Sequence, residues 1–380
     1  MAANYFPGIK VGILGGGQLG RMLIQAGIDL NIDFHVLDPD PEAPCRAIST
    51  FTCGKLTDFD TVMEFGRRCD VITIEIENVN TAALRALVRE GKTVFPEPDA
   101  IECIQDKRIQ KTFYRNHSIP TADFVLVNDR ADAQGQADFL PCVNKLGKEG
   151  YDGRGVQILR TKDDLHLVFN APGLLEKLVP IDKEIAVLVA RSSTGEIRTF
   201  PPVEMIFHPT GNMVEFLFSP ADVSAPIAER AAGLATEVIT RLKMTGLLAV
   251  EFFVTPSGEV LVNEVAPRPH NSGHQTIEGN ITSQYHQHLY AILGLPLGDT
   301  SVKIPTAMVN LLGAEGFSGV AHYEGIGSCL GLGGVHVHLY GKKITKPLRK
   351  MGHVTLTGSD TEDLRARART VRDTLRVISR

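Results

Sequence analysis

Several features that would mark a secreted, membrane-bound or nucleic-acid-binding protein are missing from this 380-residue sequence. Its 6 cysteines form no C-x-x-C pair, which favours free thiols in a cytosolic protein. No apolar run approaches the roughly 18–20 residues of a membrane span. Residues 1–10 are too polar for a signal peptide. The net charge of −5 gives no reason to expect nucleic acid as a partner. Tryptophan, internal repeats and Ser-His-Asp or Cys-His nucleophile patterns are also absent.

The most informative feature that is present is a predicted hairpin carrying two acids, Glu251 and Glu264. Residues 247–254 and 259–265 are β-rich runs on either side of a Pro-Ser-Gly turn signal. A two-residue loop at Ser257-Gly258 would place the acids directly opposite each other, where like charges destabilise the ladder. A cation removes that repulsion, and Mg²⁺ favours one or two carboxylates plus nucleotide phosphates. The alternative is a solvent-facing pair of acids.

The segment that follows favours the functional interpretation of this pair. Residues 263–274 read Asn-Glu-Val-Ala-Pro-Arg-Pro-His-Asn-Ser-Gly-His, so amide, imidazole and guanidinium donors lie next to the candidate metal site. Such donors suit an anionic substrate.

A glycine motif near the N-terminus allows a competing interpretation. Gly15 to Gly20 satisfies G-x-G-x-x-G between a predicted strand and a predicted helix, and Asp38 lies where a dinucleotide fold keeps its ribose-binding acid. Taken alone, the motif predicts an NAD-dependent oxidoreductase. The residues themselves guarantee less, since amides at a helix N-terminus can hold one phosphate of any ligand. A tight turn without a ligand is the third possibility.

Two cationic segments could contact phosphates. The glycine-rich segment 145–155 lacks the order of a P-loop, but it could close over a triphosphate as a lid. The alternative is a mobile surface loop, although tyrosine, aspartate and arginine inside it favour function. A second basic loop at 342–350 is either a solvated face or a source of phosphate donors. The His336/His338 and His286/His288 pairs favour ordinary surface over metal binding.

The order of predicted elements divides the chain into three units. Strands alternate with helices in residues 1–117, which predicts a Rossmann-like parallel sheet. Residues 118–297 contain mostly strands and hairpins, with helices near 222–243 and 282–293. Residues 298–380 form a small β-rich unit with a final helix. Its capping box is expected at Ser359 and Glu362, and its apolar stripe at Leu364, Ala368, Val371, Leu375 and Ile378. The predicted class is therefore α/β combined with α+β.

At this point the chain resembles one family closely. The motifs Gly-Gly-Gly-Gln-Leu-Gly-Arg-Met at 15–22, Glu-Ile-Glu-Asn-Val at 75–79, Gly-Tyr-Asp-Gly-Arg-Gly at 150–155 and Arg-Lys-Met-Gly-His at 349–353 occur in order with the 251–274 segment. Together they resemble 5-(carboxyamino)imidazole ribonucleotide synthases of the ATP-grasp superfamily. The resemblance covers residues 9–375 and implies a three-domain ATP-grasp architecture. It also implies that ATP phosphorylates bicarbonate to carboxyphosphate, which then carboxylates 5-aminoimidazole ribonucleotide.

The resemblance assigns roles to individual residues. Glu251 and Glu264 would hold Mg²⁺, with Mn²⁺ as a substitute. The implied ATP-binding residues are Lys107, Lys145, Gly150, Tyr151, Asp152, Gly153, Arg154, Gly155, Glu176, Lys177, Leu178, Val179, Glu184, His208, Asn263 and Glu264. The implied ribonucleotide-binding residues are Gln18, Leu19, Glu77, Asp152, Lys342 and Arg349. The implied catalytic residues, which orient bicarbonate, carboxyphosphate or the amine, are Asp152, Arg154, His274 and Lys342.

Departures from the family pattern are small, and three rival interpretations remain. Position 107 is Lys where many members have Arg, and the region around His208 varies in the family. A biotin carboxylase or formate-dependent transformylase would share the metal hairpin but not the lid or the 349–353 loop. An NAD-dependent dehydrogenase leaves the 251–274 acids unexplained. A non-catalytic regulator would show decay of the lid or metal acids. Biotin and NAD are therefore not expected, and relatives of this type suggest a cytoplasmic homodimer.

Overall fold

The computed structural model describes residues 5–148, 150, 155–208 and 213–380. The N-terminal unit is a five-stranded, fully parallel sheet in the order β3-β2-β1-β4-β5, with helices on its faces. Its elements are β1 (Lys10–Leu14), α1 (Gln18–Gly27), β2 (Asp33–Asp38), β3 (Thr50–Cys53), α2 (Phe59–Arg67), β4 (Val71–Ile74), α3 (Thr81–Arg89), β5 (Thr93–Val94), α4 (Pro98–Gln105) and α5 (Lys107–Asn116).

This sheet confirms the predicted alternation and explains where its polar residues gather. Residues 11 and 13–14 of β1 and all of β4 are buried, as expected for strands covered on both faces. The carboxyl ends of parallel strands meet at one edge. Gly15 after β1, Asp38 at the end of β2 and Glu75 after β4 therefore lie together.

The central unit begins with a four-stranded antiparallel sheet in the order β6-β9-β7-β8. Its elements are β6 (Phe124–Val127), α6 (Arg130–Gly135), β7 (Cys142–Leu146), β8 (Val156–Leu159) and β9 (Gly173–Lys177). The chain then enters a larger sheet through β10 (Lys183–Arg191), β11 (Ile197–Thr199), β12 (Val203–Phe207), β13 (Val214–Ser219), α7 (Ala225–Arg241), β14 (Gly246–Val254), β15 (Val260–Ala266), α8 (Thr276–Gly279) and α9 (Gln284–Leu293).

The last part of the chain extends the same large sheet. Its elements are β16 (Thr306–Leu312), β17 (Gly319–Glu324), α10 (Ile326–Leu330), β18 (Val335–Leu339), β19 (Ile344–Thr345), β20 (Lys350–Thr357), α11 (Thr361–Thr374) and β21 (Arg376–Ser379). The order β15-β14-β10-β12-β13-β16-β20-β18 runs across the predicted boundary at 297/298. The final unit therefore shares its main sheet with the central one.

Two local predictions for the final helix were wrong. Asp360, not Ser359, caps α11, and its side chain accepts hydrogen bonds from the amides of Glu362 and Asp363. A carboxylate one residue later takes the capping position because it reaches both amides. The apolar stripe also ends earlier than predicted, since Ile378 lies in strand β21. None of the helices in the described ranges is long and apolar enough to cross a membrane.

His288 joins the N-terminal and central units. The side chain is fully buried, and its Nε2 lies 2.9 Å from the Thr73 hydroxyl of β4. Its Nδ1 accepts a hydrogen bond of 3.1 Å from the Leu247 amide of β14. Because Nδ1 is an acceptor, the neutral ring carries its proton on Nε2 and donates it to Thr73. Burial lowers the pKa of His288 to about 3.

This histidine should make stability fall in mild acid. Below the ordinary histidine pKa of about 6.5, the unfolded chain takes a proton that the native His288 refuses, so acid favours unfolding. The free energy of unfolding should lose about 1.4 kcal/mol per pH unit from this one residue between about pH 6 and pH 4. Denaturant titrations at several pH values would give the free energy of unfolding at each pH. Its dependence on pH should be shallower in His288→Asn, by the uptake of one proton on unfolding. An unchanged slope would contradict the assignment.

Candidate active site

The two acids of the hairpin are paired, but through a different loop from the one predicted. Glu251 of β14 lies directly opposite Glu264 of β15. The loop is Pro256 to Gly258 rather than two residues, because the Thr255 amide donates to the Glu259 carbonyl at 2.9 Å. Gly258 has a φ of +81°, as the closing residue of a three-residue hairpin loop requires.

A β-bulge restores the register that this longer loop would have shifted. Phe252 pairs with Val262, whereas Glu251 pairs with Glu264, so Asn263 is an extra residue on β15. Without the bulge, Asn263 would face Glu251. With it, Asn263 and Glu264 both reach the lysines that lie across the cleft.

Opposite charges surround the acid pair unequally. Lys107, at the start of α5, forms an ion pair with Glu264 and lowers the pKa of that carboxyl. Burial, together with the charges of Glu264 and Glu184, raises the pKa of Glu251. His270 Nε2 lies 3.8 Å from Glu251 Oε1. Glu264 is thus neutralised by a lysine, and a bound cation would add positive charge beside Glu251.

A third acid, Glu184 of β10, lies on the same face of the large sheet. It pairs with Phe253, two residues from Glu251 along β14, and burial raises its pKa to about 7. No cluster of three or more His, Cys, Asp or Glu side chains in metal-binding geometry occurs among the described residues. Two carboxylates fit a magnesium ion that takes its remaining ligands from phosphates and water.

A second charged group faces the acid pair from the small sheet. Glu176 of β9 is buried between Lys145 of β7 and Lys111 of α5, and it forms ion pairs with both. Burial alone would raise its pKa, but the two ammonium groups lower the pKa of Glu176 to about 2. Lys145 Nζ also donates to Asn263 Oδ1 at 3.1 Å. Lys145 therefore spans the cleft between the two sheets.

This arrangement gives a direct prediction for Lys145→Met. Losing charge-assisted contacts to a phosphate, worth about 1.5–3 kcal/mol, should weaken binding of ATP–Mg²⁺ by roughly 10–100-fold. The fold should survive because Lys111 still neutralises Glu176. Calorimetric titration would measure the loss, with the exposed Lys162→Met as control. Equal affinities for the two variants would remove Lys145 from the phosphate site.

A cavity of about 500 Å³ opens beside residues 177–179, which belong to the predicted ATP-binding set. Lys177, Leu178 and Val179 line one side of this cavity and Leu261 lines the other. The amides of Lys177 and Leu178 bond Asp123 and Pro141 carbonyls. The Val179 amide has no backbone partner within the described residues, so it can meet an adenine ring nitrogen.

The structure describes some of the remaining predicted ATP-binding residues but not others. His208 follows β12, and its amide donates to the Met213 carbonyl at 2.8 Å. It lies three residues beyond Met205, which pairs with Glu184. Gly150 and Gly155 are described, and Gly155 has a φ of +72°. The predicted lid residues Tyr151, Asp152, Gly153 and Arg154 lie outside the described residues.

The protein's own carboxylates occupy part of the glycine motif. The Gly16 amide donates to Asp38 Oδ2 at 2.7 Å, and the Leu19 amide donates to Glu75 Oε1 at 3.2 Å. A Cβ on Gly17 would lie 2.5 Å from Glu75 Oε1, so this glycine is needed for the approach of Glu75. Asp38 therefore fixes the loop. The amide of Leu19, a residue that the resemblance assigns to ribonucleotide binding, is bound to Glu75 instead.

Three residues that were not among the predicted site residues contact or lie near them: Glu75, Arg268 and His270. Burial raises the pKa of Glu75 to about 7, although the charges of Arg268 and Lys342 act against the rise. Arg268 Nε lies 2.9 Å from Glu77 Oε1, and His270 lies beside Glu251. Arg268 and His270 were visible in the 263–274 motif. Glu75 could have been found from its place at the end of a parallel strand.

The C-terminal loop lies against the N-terminal unit. Lys343 forms an ion pair with Glu42, and Lys342 Nζ donates to the Lys350 carbonyl at 2.7 Å. Arg349 Nη1 donates to the Ile344 carbonyl at 2.6 Å within the same loop. His274 is 1% exposed, and its Nδ1 lies 3.0 Å from the Tyr285 hydroxyl. Arg268 and Lys342 thus lie close enough to Glu75 to act on its pKa, and Arg268 also pairs with Glu77. Gln18 begins α1, one residue before the Leu19 amide that Glu75 binds.

Family models match all three units of the chain. Residues 9–105 match the ribonucleotide synthetase preATP-grasp domain, residues 112–285 the ATP-grasp domain, and residues 306–367 the phosphoribosylaminoimidazole carboxylase C-terminal domain. The large sheet that carries Glu251 and Glu264, and the small sheet that carries Lys145 and Glu176, are therefore those of an ATP-grasp protein.

Relatives and solved structures narrow this class. The chain is 36% identical to N5-carboxyaminoimidazole ribonucleotide synthase of Pseudomonas aeruginosa, covering 94% of this chain and 97% of that protein. The synthetase structure from Thermotoga maritima has a TM-score of 0.91 and 38% identity, covering 98% of this chain and 100% of that one. The chain belongs to the N5-carboxyaminoimidazole ribonucleotide synthase family.

Two further matches add context. The Aspergillus clavatus synthase, described in complex with ADP and 5-aminoimidazole ribonucleotide, has a TM-score of 0.87 and 31% identity over 96% of this chain and 98% of its own. The chloroplastic phosphoribosylaminoimidazole carboxylase of Vigna aconitifolia is 38% identical over 94% of this chain. The chain spans only 65% of the length of that plant protein.

Proposed function

We propose that this chain is an ATP-dependent carbon–nitrogen ligase that carboxylates 5-aminoimidazole ribonucleotide. ATP phosphorylates bicarbonate, and the exocyclic amine then captures the carboxyl group. The products are 5-(carboxyamino)imidazole ribonucleotide, ADP and phosphate, in the route of purine (IMP) synthesis. The observation that carries the proposal is the Glu251–Glu264 pair, with Lys107 bound to Glu264 and Lys145 bound to the adjacent Asn263.

The residues suit phosphoryl transfer, which depends on charge neutralisation and positioning more than on covalent catalysis. Glu251 and Glu264 would hold Mg²⁺, for which Mn²⁺ could substitute, and the ion would neutralise the β- and γ-phosphates. Lys107 and Lys145 would leave their acids for phosphate oxygens. Asn263 would lie beside the metal and the phosphates, because the bulge brings its side chain to Lys145.

The second substrate would occupy the cleft between the glycine motif and the basic loop. Glu77 and Arg268 form a ready ion pair there for ribose or ring contacts, and Lys342 supplies a cation for the phosphate. Gln18 and Arg349 remain candidate ligands. Asp152 and Arg154 stay assigned to the amine and to carboxyphosphate, with His274 orienting the latter. Because carboxyphosphate hydrolyses readily in water, the lid at 147–155 would exclude solvent.

The glycine motif no longer favours an NAD-dependent dehydrogenase. Asp38, the expected ribose ligand of NAD, is bound to the Gly16 amide, and Glu75 fills the start of α1. Biotin is not part of the proposed reaction, since the amine itself accepts the carboxyl group.

The test is ADP release by purified protein with ATP, Mg²⁺ and bicarbonate, with and without 5-aminoimidazole ribonucleotide. The proposal expects strong stimulation by the ribonucleotide. If ADP is released at the same rate with and without the ribonucleotide, the ribonucleotide is not the carboxyl acceptor, although the protein still uses ATP as an ATP-grasp enzyme does. Absence of any turnover would overturn the ligase itself.

We also propose that the protein works as a cytoplasmic homodimer. The resemblance supports the dimer, and the six cysteines, all free thiols in the described chain, suit a reducing compartment. Light scattering at several protein concentrations would test the dimer.

A further inference from the structure

The buried carboxylate of Glu176 is shared by two lysines that come from different elements. Lys111 of α5 forms an ion pair with its Oε1, and Lys145 of β7 forms one with its Oε2. The side chains of Lys111 and Glu176 are each 3% exposed, whereas that of Lys145 is 11% exposed. Lys145 is therefore the partner that lies nearer the cleft, and Lys111 is the enclosed one.

Further contacts hold Lys111 between the two sheets. Its ammonium donates to the Thr121 hydroxyl, which donates in turn to the Val262 carbonyl of β15 at 2.6 Å. The fully buried ring of Tyr114 also lies beside the ammonium, with its centroid 5.9 Å away. A lysine enclosed in this way can act on a ligand in the cleft only through its neighbours.

These contacts close a circuit that reaches the candidate phosphate site. Val262 is followed by the bulge residue Asn263, whose Oδ1 accepts a hydrogen bond from Lys145 at 3.1 Å. From Lys145 the circuit returns through Glu176 to Lys111. Lys111 therefore supports both groups that hold Lys145. It contacts the carboxylate directly, and it supports the amide through the backbone of β15.

The circuit contains two ammonium groups but one carboxylate. Although burial acts to raise it, the pKa of Glu176 is lowered to about 2 by the two ammonium groups, so this acid is ionised at neutral pH. Burial lowers the pKa of Lys111 to about 8, which leaves this lysine mostly protonated at neutral pH. One positive charge is therefore left over in the circuit. Because Lys111 cannot reach the cleft, that charge is available there at Lys145.

We propose that Lys111 is a positioning residue for ATP, which keeps Glu176 paired so that Lys145 is free to bind the nucleotide phosphates. This inference rests on the proposed function, since it takes Lys145 as a phosphate ligand. Without Lys111, the pair of Lys145 and Glu176 would be neutral. A phosphate would then have to draw Lys145 away from a buried carboxylate that has lost its other lysine, and an unpaired buried charge is costly.

The first test compares the binding of ATP–Mg²⁺ and of adenosine to Lys111→Met by calorimetric titration. ATP–Mg²⁺ should bind roughly 10-fold or more weakly than to the wild type, because its phosphates compete with Glu176 for Lys145. Adenosine has no phosphate, so its affinity should be unchanged. The variant should remain folded, since Lys145 still neutralises Glu176, and thermal unfolding would check this. The exposed Lys162→Met is the control.

Two results of this test would overturn the proposal. Unchanged affinity of Lys111→Met for ATP–Mg²⁺ would show that Glu176 does not compete for Lys145. An equal loss of affinity for adenosine would show that Lys111 supports the shape of the pocket and not the charge of Lys145.

A second variant separates charge from packing. Combining Lys111→Met with Glu176→Gln removes one charge of each sign, so Lys145 again carries an unopposed positive charge. The double variant should bind ATP–Mg²⁺ more tightly than Lys111→Met, by roughly fivefold or more. If Lys111 were merely structural, the second substitution would add to the damage of the first. A double variant that binds ATP–Mg²⁺ no better than Lys111→Met would therefore contradict the proposal.

Comparison with Lys145→Met distinguishes failure of this inference from failure of the proposed function. If Lys145→Met weakens ATP–Mg²⁺ binding and Lys111→Met does not, the phosphate site stands and only the role of Lys111 is wrong. If neither variant weakens it, Lys145 is not a phosphate ligand, and the proposed nucleotide site falls together with this inference.

Discussion

Glu264→Gln should abolish ADP formation while leaving the protein folded. An amide is a much weaker ligand for Mg²⁺ than a carboxylate, and Lys107 loses its partner as well. Loss of metal-assisted charge stabilisation worth about 4 kcal/mol corresponds to roughly a 10³-fold fall in kcat. Steady-state ADP release at saturating ATP would measure it, with circular dichroism as the check on folding.

The control for this variant is Glu237→Gln, which removes an acid from the solvent-facing side of α7. It should retain wild-type turnover, because an exposed i,i+4 ion pair contributes little to stability. Near-normal turnover of Glu264→Gln would remove the acid pair from the metal site. A fall that excess Mg²⁺ restores in part would support the pair as metal ligands.

Lys342→Ala should weaken use of the ribonucleotide far more than binding of ATP. Lys342 lies in the loop that contacts the N-terminal unit, close enough to Glu75 to act on its pKa. Losing one charge-assisted contact to a phosphate, worth about 1.5–3 kcal/mol, should raise the KM for the ribonucleotide by roughly 10–100-fold. Initial rates with varied ribonucleotide, and calorimetry with ATP, would separate the two effects.

The neighbouring Lys343→Ala is a matched control. Lys343 lies on the same loop and is paired with Glu42, yet its side chain is 72% exposed. It should change the KM for the ribonucleotide by less than about threefold, as for an exposed pair. If Lys342→Ala instead weakened ATP alone, the basic loop would belong to the nucleotide site and the ribonucleotide would bind elsewhere.

The sequence predicted which acids face each other but not how the chain arranges them. Alternation along strands and the turn signal were enough to pair Glu251 with Glu264. They could not reveal the three-residue loop or the bulge at Asn263, because each shifts the register by one residue and the two shifts cancel. That cancellation is why the pairing was right although the predicted loop was wrong.

The N-terminal unit shows the opposite limit. The sequence pattern predicted its strands and its glycine motif, and the structure confirms the parallel sheet. The pattern could not predict that Glu75 binds an amide of this motif, because Glu75 follows a strand more than fifty residues away in the sequence. The three-unit division was also readable, but the continuous sheet across 297/298 depends on long-range pairing between β13 and β16. Local signals do not encode such pairings.

The measurement that bears most directly on the central claim follows oxygen from bicarbonate into phosphate. Phosphorylation of [¹⁸O]bicarbonate joins one of its oxygens to the γ-phosphorus, and that oxygen stays with phosphorus when the amine takes the carboxyl carbon. Mass spectrometry should find one ¹⁸O per inorganic phosphate, with one ADP and one carboxylated ribonucleotide formed alongside. Unlabelled phosphate formed with the same stoichiometry would contradict bicarbonate as the phosphoryl acceptor, and with it the proposed reaction.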